Sequence, residues 1–115
     1  MTPTILVRNG KLYMVVGTPG GPTIMNSVLQ SLVNVVDFKM NAQDAVSAPR
    51  FHHQWYPDRI FLEPGFSPDT IALLKARGHE IEFKASNNDM MMILSDGDWL
   101  QAGVDPRREG KAAGY

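Results

Sequence analysis

ILVRNGKLYMVVGTPGGPTIMNSVLQSLVNVV, residues 5–36, joins a turn signal, a glycine-rich loop and a long apolar period, and these three features set the fold. Ile5 and Val7 alternate with their neighbours up to Arg8, and Asn9-Gly10 is the pair that best tolerates positive φ in a type I′ turn, so a hairpin is predicted. The return strand, Leu12 to Val16, is apolar on both faces, which predicts a strand covered from both sides. It runs into Gly17-Thr18-Pro19-Gly20-Gly21-Pro22, where no regular element continues. Thr23 then caps a predicted helix whose Met25, Val28, Leu29, Leu32, Val33 and Val36 fall on one face at a 3.6 period.

Further along, Asn41 with Asp44 three residues on marks a short helix that ends near Ala48, because Pro49 disfavours helix before it. Arg50 to Glu63 reads as ordered loop with one strand, Arg59–Leu62. Ser67, Pro68 and Asp69 open a third helix that Lys75, Arg77 and Gly78 close. His79–Lys84 alternates with Ile81 and Phe83 inward, and Met90–Leu94 and Trp99–Gly103 flank a Ser95-Asp96-Gly97-Asp98 turn as a second hairpin. This order predicts one α/β (α+β) layered domain over residues 1–115, with mostly antiparallel strands.

Composition narrows the function. The chain has 115 residues, 43% of them hydrophobic and 20% charged, which argues for a folded domain rather than disorder. Its 11 Lys+Arg against 12 Asp+Glu leave a formal charge of -1 and no basic run for a phosphate backbone, so nucleic acid is not an expected partner. Cysteine is absent, which removes disulfides, thiolate metal sites and a Cys nucleophile. Val28 to Phe38 is too short and polar to span a bilayer, and Met1–Gly10 lacks the pattern of a signal peptide, so the chain as written is expected in the cytoplasm.

Several residues invite chemistry. Gly20-Gly21 lies between a strand and a helix start, where backbone N–H groups can form an anion-binding nest, although the same glycines also serve a plain strand-to-helix connection. Pro22-Thr23 replaces the Lys-Ser/Thr of a Walker loop, which argues against nucleotide phosphate. His52, His53, His79 and Asp58 lack metal-ligand spacing and are expected in packing or hydrogen bonds. Met90-Met91-Met92 reads as core strand. Ser27, Ser31, Ser47, Ser67, Ser86 and Ser95 all lack a nucleophile-elbow context. Thr2, exposed if Met1 were removed, is an N-terminal nucleophile only in principle, since Pro3 is an awkward successor.

The stretches GTPGGPTIMNSVLQSLVNVVDFKMNAQDAVSAPRFHHQW, LEPGFSPDTIALLKARGHEIE and AGVDPRREGKAAGY together resemble the C-terminal part of the small subunit of gamma-glutamyltranspeptidases. Ala48-Pro49-Arg50-Phe51-His52-His53-Gln54-Trp55, Asp105-Pro106-Arg107 and Gly114-Tyr115 are the long ordered matches. The resemblance implies a four-layer αββα N-terminal nucleophile hydrolase sandwich, formed from a precursor that cleaves itself before a Thr. That Thr attacks gamma-glutamyl amides such as glutathione and passes the acyl group to water or an amino acid, with no metal or organic cofactor. It also implies that the backbone N–H groups of Gly20 and Gly21 form the oxyanion hole.

The family's Thr-Thr-His context is expected upstream of this region, as are a Ser-Ser pair before Met1, the large subunit's substrate-clamping Arg and the acidic residue that receives the substrate amino group. Three functional readings follow. These residues alone do not turn over gamma-glutamyl substrates. A free-standing domain that completes a separately encoded enzyme is the alternative, and a simple anion-binding module is a third. A half-sandwich exposes an edge and an apolar face, predicting self-association into a homodimer or larger assembly. Family members are usually periplasmic, secreted or surface-bound, which sets the resemblance against the cytoplasmic expectation.

Overall fold

The computed structural model describes residues 3–85 and 88–114, and the chain divides into two compact units, Met1–Ala48 with Asn87–Tyr115, and Pro49–Ser86. In the first unit, β1 (Thr4–Arg8) and β2 (Lys11–Gly17) form the expected hairpin, with Asn9 at φ 52° and Gly10 at φ 75°. A single 3-10 turn over Gly21–Thr23 leads into α1 (Ile24–Val36), and α2 (Ala42–Ser47) follows. The chain returns to this unit as the antiparallel hairpin β6 (Met91–Ser95) and β7 (Leu100–Val104), each one residue later than the sequence indicates. The sheet order is β1-β2-β6-β7, antiparallel throughout.

One face of that sheet carries the core. Met14, Val16, Met92 and Leu94 are buried with Val28 and Val35 of α1 and Ala42, Ala45 and Val46 of α2. The opposite face is not covered: Leu12, Met91 and Ile93 are exposed, so the expectation that β2 is covered on both sides fails for the described residues. Met90 and Met92 are core as expected, whereas Met91 points to the open face.

Helix α1 forms where expected but turns a different stripe inward. Ser27, Val28, Ser31 and Val35 are buried, while Met25 and Leu29 are 76% and 61% exposed. The buried stripe is rotated by one residue from the most apolar one and includes two serines. Thr23 does not cap α1 with its side chain, because its hydroxyl is engaged elsewhere. Asn41 does cap α2, accepting from Asp44 N at 2.8 Å. The C-terminal end of α2 is closed by Arg107, whose guanidinium donates to the carbonyls of Val46, Ser47 and Ala48 and to the buried carboxylate of Asp105.

The second unit holds β3 (Phe51–His52), β4 (Ile60–Leu62), α3 (Pro68–Ala76) and β5 (Ile81–Phe83), with β4 antiparallel to β3 and parallel to β5. Strand β3 lies inside the stretch read as loop, because its two residues carry no period of their own. Ser67 caps α3 through Thr70 N at 3.1 Å, and Gly78 follows it at φ 89°, both as predicted. Phe83 corrects the inward expectation: β5 is an edge strand and leaves the ring 58% exposed. No helix among the described residues is long and apolar enough to cross a membrane.

Candidate functional site

The loop from β2 to α1 is built around two peptide groups whose carbonyls are clamped. Thr18 and Asn88 are almost fully buried, and the Asn88 side-chain amide donates from Nδ2 to Pro19 O at 2.8 Å. The Thr18 hydroxyl also reaches Pro19 O at 2.7 Å while accepting from Asp89 N at 3.0 Å. One peptide on, Gly20 O accepts from Thr23 N at 3.3 Å and lies 2.8 Å from the Thr23 hydroxyl. That hydroxyl is also 2.9 Å from Asn88 Oδ1, so its single proton serves one acceptor at a time, and Ser27 donates to the same Oδ1 at 3.1 Å.

A trans peptide holds its N–H opposite its C=O, so a clamped carbonyl fixes the direction of the N–H across the bond. Securing Pro19 O aims the Gly20 N–H, and securing Gly20 O aims the Gly21 N–H. Gly20 has φ 143° and ψ 9°, and this ψ nearly eclipses the two amide nitrogens about the Gly20 Cα–C bond, placing both on one side. Neither N–H donates to another of the described residues. Two adjacent donors without a partner among the described residues, set by buried side chains behind them, are suited to an anion or a developing oxyanion.

The two glycines are required for different reasons. At Gly20 a Cβ would overlap the Asn88 amide and come within 2.8 Å of the Thr23 hydroxyl, whereas at Gly21 nothing lies within 4 Å and only φ 60° disfavours a side chain.

The remaining candidates fall elsewhere. His53 accepts from Trp55 N on Nδ1 at 3.1 Å and meets Asp58 at 3.2 Å on Nε2, while His52 pairs with Gln54 and stacks on Phe61. These histidines are thus occupied with hydrogen bonds and ring packing, and no group of three metal-ligating side chains occurs among the described residues. In the same unit Arg59 bridges Glu82 at 2.9 Å and Glu80 at 3.3 Å, and its pKa is raised by the Glu82 hydrogen bond first and the Glu80 charge second. Thr2 and Ser86 lie outside the described residues. Asn88 and the hydroxyls of Thr18 and Ser27 are the site residues that sequence reasoning missed. No local signal marks them, because their contacts join segments far apart in sequence.

Comparison with known proteins gives this geometry a family context. A family model described as Gamma-glutamyltranspeptidase matches residues 1–115. The chain is 45% identical over 118 aligned residues to the Escherichia coli glutathione hydrolase proenzyme, with all of this chain but only 20% of that protein aligned. Among solved structures, it is similar to the Helicobacter pylori gamma-glutamyltranspeptidase T380A mutant, with TM-score 0.89, 41% identity, and 94% of this chain against 61% of that one. The Pseudomonas nitroreducens gamma-glutamyltranspeptidase complexed with L-DON gives TM-score 0.90 and 35% identity, covering 100% of this chain and 62% of that one. The chain therefore spans about a fifth of the curated relatives' length and about three-fifths of the solved chains.

Proposed function

The chain belongs to the gamma-glutamyltranspeptidase family and carries part of its N-terminal nucleophile hydrolase fold, and from that premise we propose that it contributes the oxyanion hole of an enzyme acting on gamma-glutamyl amides. In this reading the 115 residues form the C-terminal portion of the small subunit. Attack on the amide carbonyl of glutathione or a similar compound moves charge onto its oxygen, and the N–H groups of Gly20 and Gly21 receive it. Donors fixed before the reaction stabilise that charge without reorganising, an effect on the order of 10²–10³ in kcat per donor. The observation that carries the reading is the pair of N–H groups that donate to no other described residue, with both carbonyls clamped behind them.

The sequence contains no Thr-Thr-His, so an oxyanion hole without that nucleophile gives no acyl transfer from these residues alone. No metal or organic cofactor enters this chemistry. The test uses two preparations: the 115-residue chain alone, and a chimera in which it replaces the matching segment of the Escherichia coli proenzyme. We expect release of the aniline from a gamma-glutamyl anilide by the chimera only. Turnover by the chain alone, abolished by changing Thr2, would overturn the reading.

The open sheet face favours a second form of the same reading, a domain that completes a separately encoded enzyme. Ile5, Val15, Ile93 and Ala102 stand side by side across all four strands, with Ile5 64% exposed. A row of this kind supports burial against further enzyme segments. Activity on mixing the chain with the separately expressed remainder of the relative would favour this form over a single polypeptide.

A further inference from the structure

We propose that Asn88 is a positioning residue for the Gly20–Gly21 hole, an inference that rests on the oxyanion reading above and extends it to a side chain outside the glycine loop. Asn88 belongs to the segment leading into β6, and only 1% of it is exposed. Its amide has two directed jobs. Nδ2 donates to Pro19 O and so sets the tilt of the peptide that carries the Gly20 N–H. Oδ1 accepts from Ser27 and lies within reach of the Thr23 hydroxyl, which ties that same peptide to the first turns of α1. The amide also fills the space that a Cβ on Gly20 would need, so the loop cannot tilt toward β6 without displacing it.

An amide is the group this position requires, because it presents one donor and one acceptor at a fixed separation. A carboxylate keeps the shape and the Oδ1 contacts but turns an acceptor toward Pro19 O. It also sets a negative charge behind a hole that must receive negative charge. Both effects lower transition-state stabilisation more than substrate binding, since the carbonyl oxygen carries its full charge only in the transition state.

The experiment uses the processed chimera, with glutathione and a gamma-glutamyl anilide as probes. Asn88→Asp is expected to lower kcat about 10- to 100-fold with KM changed less than about threefold, the size of effect that misplacing a catalytic group produces. The loss should shrink as the pH falls, because a protonated carboxyl again donates to Pro19 O. Asn88→Ser is too short to span the two partners and adds no charge; it should lower kcat by a similar factor with no recovery at low pH. It also serves as the measurement if Asn88→Asp does not fold. Equal kcat for parent and either folded variant, while Gly20→Ala still lowers kcat, would overturn the role of Asn88 alone. If Gly20→Ala, which keeps its N–H but can hold φ 143° only under strain, does not lower kcat in the processed chimera, the oxyanion reading itself fails. A loss carried entirely in KM would also overturn the positioning role.

Discussion

At Gly103 in β7 a Cβ would collide with the carbonyl of Ala42 and lie 3.1 Å from Gln43 N, all backbone atoms at the start of α2. Backbone cannot swing aside as a flexible side chain does, so the helix must lift from the sheet. Gly103→Ala is expected to destabilise the chain by about 2–3 kcal/mol, the upper range for overpacking, read as a lower urea midpoint. Gly114→Ala, with nothing within 4 Å, should leave the midpoint within about 0.5 kcal/mol of the parent. A parent-like midpoint for Gly103→Ala would mean that α2 does not rest on β7. Nothing local in the sequence distinguishes these two glycines, because the reason for Gly103 is a helix far away along the chain. The loop at Gly20-Gly21, with both glycines at positive φ, was legible because its flanking prolines and its place before a helix are local signals. Asn88 was not, since only the fold brings it against Gly20.

Helix α1 shows the same division at the level of an element. Its limits follow from a long period and the absence of breakers, and they agree with the sequence to within a residue at the start. Its inward face does not follow, because the more apolar stripe is the exposed one and the buried stripe includes Ser27 and Ser31. Hydrophobicity alone ranks Leu29 above Ser27, but Ser27 has a buried hydrogen-bond partner in Asn88 and Leu29 has no cover among the described residues. Val35→Ala should therefore cost about 2 kcal/mol, whereas Leu29→Ala and Met25→Ala should each stay within about 0.5 kcal/mol in dilute solution. Urea titration of the three variants checks this, and a Leu29→Ala loss equal to that of Val35→Ala would reverse the assignment of faces. The caps at Asn41 and Ser67 and the Asn9-Gly10 turn were fully legible because their causes lie within three residues. The two-residue strand β3 was not, because it exists only by pairing with β4.

At the scale of the molecule, the two borders of the four-stranded sheet are treated differently. On β7, Gln43 of α2 donates to Val104 O at 2.8 Å and accepts from Val104 N at 3.1 Å, so one side chain takes both backbone groups that an added strand would use there. On β1, the other border, no described strand lies beyond, and Ile5 and Val7 are 64% and 66% exposed. An open border continuous with an apolar row is a template for pairing, which a native chain blunts with charge, cover or a partner. The bulge between Leu6 and Val7 and the terminal Arg8 oppose pairing at one end only. In the absence of other enzyme segments, a second copy of the chain is the partner at hand, and we expect a homodimer or larger assembly in sedimentation at high concentration. Ile5→Lys places an ammonium on the row beside Val15 without touching the buried face, and should shift the chain toward monomer while leaving the urea midpoint of the dilute protein nearly unchanged. A parent chain that stays monomeric at high concentration would show that the exposed row and border do not drive association, and would weaken the case that they are covered in a complete enzyme.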